Sequence, residues 1–284
     1  MKRFTACLFS GRCNAFFTMP LFVFYLLLSH PLQGRAQDSL HLFSVTYIKL
    51  KDPTYAKQYE ALLNYYGKAA GEYGLKTGRI TGYYVLKVIM PIGSSSDCDY
   101  KVVVTSNSLN VLLDDTTAVL KNAIPGMTDD MVKGVNDQYN DMRTIVKKEI
   151  YNTTDWIDIT PSAKYIEIDY MKPADGKYSD YIKAERETWK PVHKERMKLG
   201  ALSGWQLDEK IMPASEKETY DVVTANFYDS LPMMLDAKYT QAFKTVWPKM
   251  DIAKVGTDIS ALRTMVKSDL LKILLAIDVN TMKQ

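Results

Sequence analysis

Ile80-Thr81-Gly82-Tyr83-Tyr84-Val85-Leu86-Lys87-Val88-Ile89-Met90-Pro91 is matched by Leu202-Ser203-Gly204-Trp205-Gln206-Leu207-Asp208-Glu209-Lys210-Ile211-Met212-Pro213, every position displaced by 122 residues (204 − 82). Working outward, Gly78 falls on Gly200. Downstream the displacement shortens to 120 (220 − 100): Tyr100 to Thr105 fall on Tyr220 to Ala225, and Arg143 to Lys147 on Arg263 to Lys267. Upstream, Val45 to Lys49 and Ile166 to Lys172 are both short β-rich runs followed by a cluster of Pro, Asp and Tyr. Self-similarity at a fixed period marks a repeated structural unit, here of about 120 residues and used twice.

Each copy has the same predicted order of elements. A strand (Leu42 to Leu50; Lys164 to Met171) is rich in β-branched and aromatic residues. A helix follows, with an apolar stripe at i, i+3, i+4, i+7 spacing: Tyr55, Tyr59, Leu62, Leu63, Tyr66, Ala70 and Tyr73 in copy one, and Tyr178, Tyr181, Ile182, Glu185, Trp189, Val192 and Arg196 in copy two. Gly74 and Gly200 are placed to supply the left-handed conformation that ends those helices. Two strands come next, Arg79 to Met90 with Tyr100 to Thr105, and Ser203 to Met212 with Thr219 to Ala225. Further helical sequence leads to the Arg143 and Arg263 segments, which read equally as helix or as a final strand. The order βαββα predicts an α+β fold of two tandem ferredoxin-like repeats, residues 37–160 and 161–284, joined through Thr160 to Ala163. A sheet with helices on one face needs a partner for the other. The two copies would supply it to each other as an intrachain pseudo-dimer, packed or closed into a barrel.

Residues 1–36 differ in kind. Lys2, Arg3 and Arg12 flank an apolar run, Phe16 to Leu28, and Gly34 and Ala36 are small residues three and one positions before a cut preceding Gln37. This is the pattern of a secretory signal peptide cleaved after Ala36, which places the protein in the periplasm or outside the cell. The alternative is an uncleaved anchor. Of 284 residues, 36 are Lys or Arg and 33 are Asp or Glu. The leader holds four of the basic residues (Lys2, Arg3, Arg12, Arg35) and none of the acidic ones, so the remainder carries 32 against 33. A general electrostatic case for nucleic acid disappears with it, and no membrane partner is expected after cleavage. Cys7 and Cys13 leave as well, and the lone Cys98 is more suited to burial than to catalysis.

Zinc, phosphate-loop and nucleophile-elbow chemistry find no motif: HExxH, paired CxxC, GxGxxG, GxxxxGK[ST] and GxSxG are all absent. Asn152-Thr153-Thr154 is a glycosylation pattern too short to carry weight, and Asp114-Asp115 and Asp129-Asp130 lack calcium-loop spacing, reading as helix starts or solvated faces. No metal and no cofactor is expected. Asymmetry between the copies is the better guide. Gly82/Gly204, Tyr83/Trp205, Tyr100/Tyr220 and Arg143/Arg263 are shared and read as structural. Glu185, Trp189 and His193 project from one side of their helix, whereas Leu63, Gly67 and Gly71 stand at those positions in copy one. A carboxylate on a buried stripe should have a raised pKa, and Glu185 with His193 could act as general acid and base. An ion pair of Glu185 with Arg196 or Arg263 is the structural alternative, and Pro191 could turn His193 off the stripe.

The segment Trp189-Lys190-Pro191-Val192-His193 through Gly200 and Gly204-Trp205, inside a βαββ repeat, resembles the dimeric α+β barrel superfamily and, within it, its NIPSNAP-like and EthD-like branches. The resemblance spans both copies. It implies a ligand held between the sheet and the helices of one domain. Activities in that superfamily include cofactor-free oxygenation of polyphenols, lactone isomerisation and haem-dependent peroxidation, so no one reaction follows. Two functions are carried forward: binding of a small aromatic or lipophilic molecule in the second repeat, lined by Tyr170, Tyr181, Glu185, Trp189, His193 and Trp205, or cofactor-free monooxygenation or isomerisation with Glu185 and His193 as acid and base. A haem, were one present, would point to His193 as its ligand. Fusion of the copies makes a monomer sufficient, with higher oligomers left open.

Overall fold

Strand β1 (Leu42–Leu50) alternates strictly: Phe43, Val45 and Tyr47 point one way, Ser44, Thr46 and Ile48 the other. Both faces are covered, and the whole architecture follows from how. The computed structural model of the chain describes residues 40–92, 97–114, 119–214 and 219–278; the leader expected over residues 1–36 lies outside them.

After β1 comes helix α1, in three continuous pieces: Ala56–Leu62, a π-helical turn Leu63–Gly67, and Lys68–Lys76. Strands β2 (Gly82–Ile92) and β3 (Tyr100–Thr105) follow, then short helices α2 (Leu109–Leu113) and α3 (Leu120–Ala123), helix α4 (Asp129–Met142) and strand β4 (Arg143–Ile157). The second half runs β5 (Tyr165–Pro173), helix α5 (Tyr178–Ala184, π turn Glu185–Trp189, Lys190–Lys198), β6 (Gly204–Met212) and β7 (Val222–Tyr228). It ends with α6 (Leu231–Leu235), α7 (Tyr239–Val246), α8 (Ile252–Leu262) and β8 (Arg263–Asp278).

Arg143 and Arg263 therefore open strands. Helix α4 is started by Thr128, whose Oγ1 accepts from Met131 N at 3.3 Å, with Asp129 and Asp130 in its first turn. Asp251 caps α8 in the same way, accepting from Ala253 N at 2.9 Å. Both helices stop one residue before the arginine. β4 and β8 are long, 15 and 16 residues, because each serves two neighbours. β4 pairs with β1 over Arg143 to Asn152 and with β6 over Ile150 to Ile157. β8 pairs with β5 over Arg263 to Lys272 and with β2 over Ser268 to Asp278.

The strands close into one antiparallel barrel in the order β1-β3-β2-β8-β5-β7-β6-β4. Within the first half the order is β4-β1-β3-β2, and within the second β8-β5-β7-β6; the β2–β8 and β4–β6 pairs join the halves and leave no free edge. The helices cover the outer face. Tyr59, Leu63, Tyr83, Val102, Val104 and Tyr139 form the core on one side, and Tyr181, Leu202, Trp205, Leu207 and Tyr228 that on the other. The strands fill the barrel themselves, with Phe43, Val45, Tyr47, Tyr151, Tyr170 and Val223 toward one end and Leu86, Ile166, Ala225, Phe227 and Leu271 toward the other.

Two local expectations are corrected. Gly78, not Gly74, takes the left-handed conformation after α1 (φ 69°), matching Gly200 (φ 70°) after α5. Gly74 is inside the helix, where a Cβ would come within 3.0 Å of Ile80. Pro191 does not end α5. The helix widens into a π turn just before it, and His193 stays buried. Trp247 Nε1 donates to the Thr188 carbonyl within that turn at 3.2 Å, satisfying an acceptor in the altered ladder.

Candidate functional site

The second-half residues singled out from sequence do not form one open pocket. Tyr170 faces the barrel interior, while Tyr181 and Trp205 lie on the helix side and are almost wholly buried. Trp205 stacks on His193 with ring centroids 5.3 Å apart and planes 21° apart. Tyr239 meets the imidazole edge-on at 6.0 Å, and Trp189 packs against Tyr239 and Phe243 of α7. Where a ligand was expected, side chains interlock.

Glu185 and His193 share a helix but not a hydrogen bond. Arg196 Nη1 lies 3.1 Å from His193 Nδ1, so that nitrogen is the acceptor and the ring is neutral with its proton on Nε2. Burial, then the Arg196 charge, hold the imidazole well below its ordinary pKa. Arg196 engages His193, the Ala237 carbonyl (2.7 Å) and the face of Tyr239 (3.7 Å to the centroid), leaves its buried Nη2 without a hydrogen-bond partner, and makes no ion pair with Glu185 among the described residues. Burial raises Glu185 to about 7, with the Tyr181 hydroxyl and Arg263 pulling the other way and Asp169 adding to the rise. Arg263 acts on it electrostatically, without a direct ion pair among the described residues.

Haem does not fit His193. One face of the ring is stacked on Trp205, Tyr239 abuts it, and Nδ1 is occupied by Arg196. Among the described residues, no group of three or more His, Cys, Asp or Glu side chains is placed to hold a metal ion, and no helix is long and apolar enough to cross a membrane.

A cavity of about 380 Å³ lies instead in the first half, between the outer face of the sheet and the helices. Its walls include Thr46, Leu63, Gly67, Tyr83, Tyr139 and Arg143. The cause is the same asymmetry read the other way: Leu63, Gly67 and Gly71 stand where Glu185, Trp189 and His193 fill the second half. Without side chains at the two glycines, Tyr83 settles against the helix backbone. A Cβ on Gly67 would lie 2.7 Å from the Tyr83 hydroxyl, and one on Gly71 3.0 Å from its ring. The covering helix α3 also has only four residues, against the eight of α7 that bring Tyr239 and Phe243 down in the second half.

A third feature has no counterpart in the sequence reading. Inside the barrel, Lys101 Nζ lies 2.7 Å from the Asp269 carboxylate and also donates to Tyr170 Oη, which in turn donates to Asp269 at 3.1 Å. Nearby, Glu149 accepts from Tyr151 (2.6 Å), Tyr220 (2.7 Å) and Lys147 (2.9 Å). Burial pushes the Glu149 carboxyl up, but those donors outweigh it and hold it below its usual range; burial lowers Lys101 against the pull of Asp269. Burial also raises Tyr47, Tyr151 and Tyr170 well above the ordinary phenol range. Cys98 is buried at the edge of this cluster, its thiol pushed up by burial.

No family model and no curated protein matches the sequence. Solved structures do match the fold. A protein of Fusobacterium nucleatum described as a "putative monooxygenase" is 10% identical, covers 85% of this chain and 96% of its own, and superposes with a TM-score of 0.50. A protein of Lactobacillus acidophilus with the same description is 9% identical, with 84% and 96% covered and a TM-score of 0.50. A haem-binding protein of Thermus thermophilus is 10% identical with a TM-score of 0.43. The fold is thus shared with the Fusobacterium and Lactobacillus proteins: a helix-covered barrel of eight antiparallel strands, completed here within one chain.

Proposed function

We propose that this protein binds a small, largely apolar molecule in the first-half cavity. The observation that carries the reading is the cavity itself, in the space that the second half fills with Trp189, His193, Tyr239 and Phe243. Its volume falls at the lower end of the range of small-ligand sites, about 300–1,000 Å³. The monooxygenase descriptions of the two Fusobacterium and Lactobacillus proteins are consistent with an α+β barrel built to hold such molecules. The test is equilibrium binding of a neutral naphthalene compound to the wild type and to Val111→Trp, whose side chain would intrude into the cavity from its wall. Loss of binding in the variant supports the site; equal binding overturns it.

The same reading takes the two halves as tandem ferredoxin-like repeats, 37–160 and 161–284, of NIPSNAP-like or EthD-like kind. It takes residues 1–36 as a signal peptide that sends the protein to the periplasm or outside the cell. N-terminal sequencing of the exported protein, expected to begin at Gln37, checks the latter.

A second reading keeps chemistry in the second half. Glu185, at a pKa of about 7 and beside the Tyr181 hydroxyl, is placed to accept a proton from an enolisable or phenolic substrate reaching that helix. Oxygen uptake with a hydroxylated anthrone, lost in Glu185→Gln and kept in His193→Ala, would support it. No turnover by the wild type, or turnover equal in Glu185→Gln, would remove it.

A further inference from the structure

Strand register fixes which residues of the two halves correspond. Tyr47 pairs with Lys147 and Thr46 with Lys148 in the β1–β4 ladder; Tyr170 pairs with Lys267 and Asp169 with Ser268 in the β5–β8 ladder. Each ladder has its irregularity at the next step, and each ends on the arginine that opens the long strand, Arg143 opposite Leu50 and Arg263 opposite Pro173. Asp169 therefore corresponds to Thr46, Ser268 to Lys148 and Arg263 to Arg143, while the repeat places Glu185 on Leu63.

The two arginines live in different electrostatic company. Arg263 acts electrostatically on two carboxyls, half-buried Asp169 and buried Glu185, drawing both downward although burial still leaves each raised. Arg143 faces phenols. Its Nη1 lies 3.3 Å from Tyr59 Oη and its guanidinium stacks 4.7 Å from the Tyr139 centroid; the buried Nε of each arginine has no hydrogen-bond partner. Both positions from which the second half offers a carboxylate are neutral here, Thr46 and Leu63, and both line the cavity with Arg143. Lys148, which donates to the Asp114 carbonyl oxygen, adds a second cation to the wall, and Asp114, the one acidic side chain among the described lining residues, is paired with Arg79. A guanidinium on the wall of a cavity of mixed polarity, met by phenols and by no carboxylate within ion-pair distance among the described residues, calls for an anion from outside the chain.

We infer that the first-half cavity selects molecules with an apolar body and one carboxylate, with Arg143 receiving the carboxylate where the second half has Asp169 and Glu185 beside Arg263. This rests on the cavity reading above and names its ligand class. In the second half the chain sets its own carboxyls at these positions; in the first they are neutral and leave room for a ligand.

The experiment is isothermal titration of the full protein with 1-naphthylacetate and with its methyl ester, which share an apolar body and differ in charge. Charge-assisted pairing with a guanidinium predicts that the wild type prefers the acid by at least about tenfold. Arg143→Met should weaken the acid at least about tenfold and leave the ester within about threefold. Leu63→Glu, which restores an internal counter-charge, should remove the acid preference while Arg143 remains, and covers the case in which Arg143→Met fails to fold. Equal affinity for acid and ester in the wild type, or an acid preference that survives either variant, overturns the inference. If Val111→Trp changes the binding of neither compound, the cavity reading fails first; if it abolishes both while the acid preference ignores Arg143 and Leu63, only the carboxylate inference fails.

Discussion

Lys101 on β3 and Asp269 on β8 meet inside the barrel at 2.7 Å, with 1% and 4% of their side chains exposed. The pair joins the two halves of the chain, since β3 belongs to the first and β8 to the second. Removing one member leaves a charge without its partner in a dry interior, which typically costs about 3–5 kcal/mol, whereas replacing both by apolar residues of similar size is often close to neutral. Lys101→Ala and Asp269→Ala should each show that loss in urea denaturation, and Lys101→Met/Asp269→Leu should recover most of it. Additive losses in the double variant would mean that the two residues act independently.

Glu185 should make stability fall as pH rises. Its pKa is raised from 4.5 to about 7 in the folded protein. Between those values the native state therefore holds a proton that the unfolded chain has released. The stabilisation is complete below about pH 4.5 and is lost as pH passes through about 7, for a total on the order of 3 kcal/mol. Asp208, raised to about 7, and Asp169, raised to about 6, both by burial, work in the same direction, so the wild-type curve reports all three groups. The difference between wild type and Glu185→Gln cancels the Asp208 contribution and leaves Glu185 with its coupling to Asp169. Denaturation at pH 5 and pH 8.5 should show the wild type losing roughly 2–3 kcal/mol relative to the variant. Parallel curves would place Glu185 in a wetter setting.

How far the sequence could lead depended on what kind of signal each feature leaves. Gly82-Tyr83 and Gly204-Trp205, with Pro91 and Pro213 behind them, gave the repeat and the order of elements, because strand length and helix period are written in consecutive residues. The segments from Arg143 and Arg263 stayed ambiguous, since a helix and a strand that both end in mixed sequence look alike until pairing partners are known. Lys101, Lys147 and Glu149 carry no sign of burial in the sequence; only closure of the barrel turns their face inward. The cavity was missed for a plainer reason. It is made by what Leu63, Gly67, Gly71 and Thr46 lack, and a search for polar residues peculiar to one copy led to Glu185 and His193, in the half that is filled.

His193 should remain neutral far below the usual imidazole range. Burial and the adjacent Arg196 both oppose protonation, so its contribution to stability is present above the unfolded pKa and lost as pH falls below about 6.5. Two-dimensional NMR of ring nitrogens should show His193 with a proton on Nε2 and none on Nδ1, unchanged from pH 8 to pH 5.5. A titration midpoint inside that range would break the assigned contact between Arg196 Nη1 and Nδ1.

Gly67 and Tyr83 provide the sharpest test of how the cavity is built, because one substitution should change sign with its background. Alanine is favoured over glycine in a helix by about 1 kcal/mol, and Gly67 has helical φ and ψ. Its Cβ, however, would stand 2.7 Å from the Tyr83 hydroxyl, and the Tyr83 ring is buried and cannot swing clear. Overpacking of that kind costs about 1–3 kcal/mol, so Gly67→Ala should be neutral to destabilising in the wild type. In Tyr83→Phe the offending oxygen is gone. The nearest remaining atoms are ring carbon Cζ at 3.6 Å and Leu63 Cδ2 at 3.7 Å, both ordinary contacts. There the helical preference should prevail, and Gly67→Ala should stabilise by up to about 1 kcal/mol, measured as a rise in Tm over Tyr83→Phe alone. Destabilisation of equal size in both backgrounds would mean that Gly67 serves the π turn itself and not the seating of Tyr83.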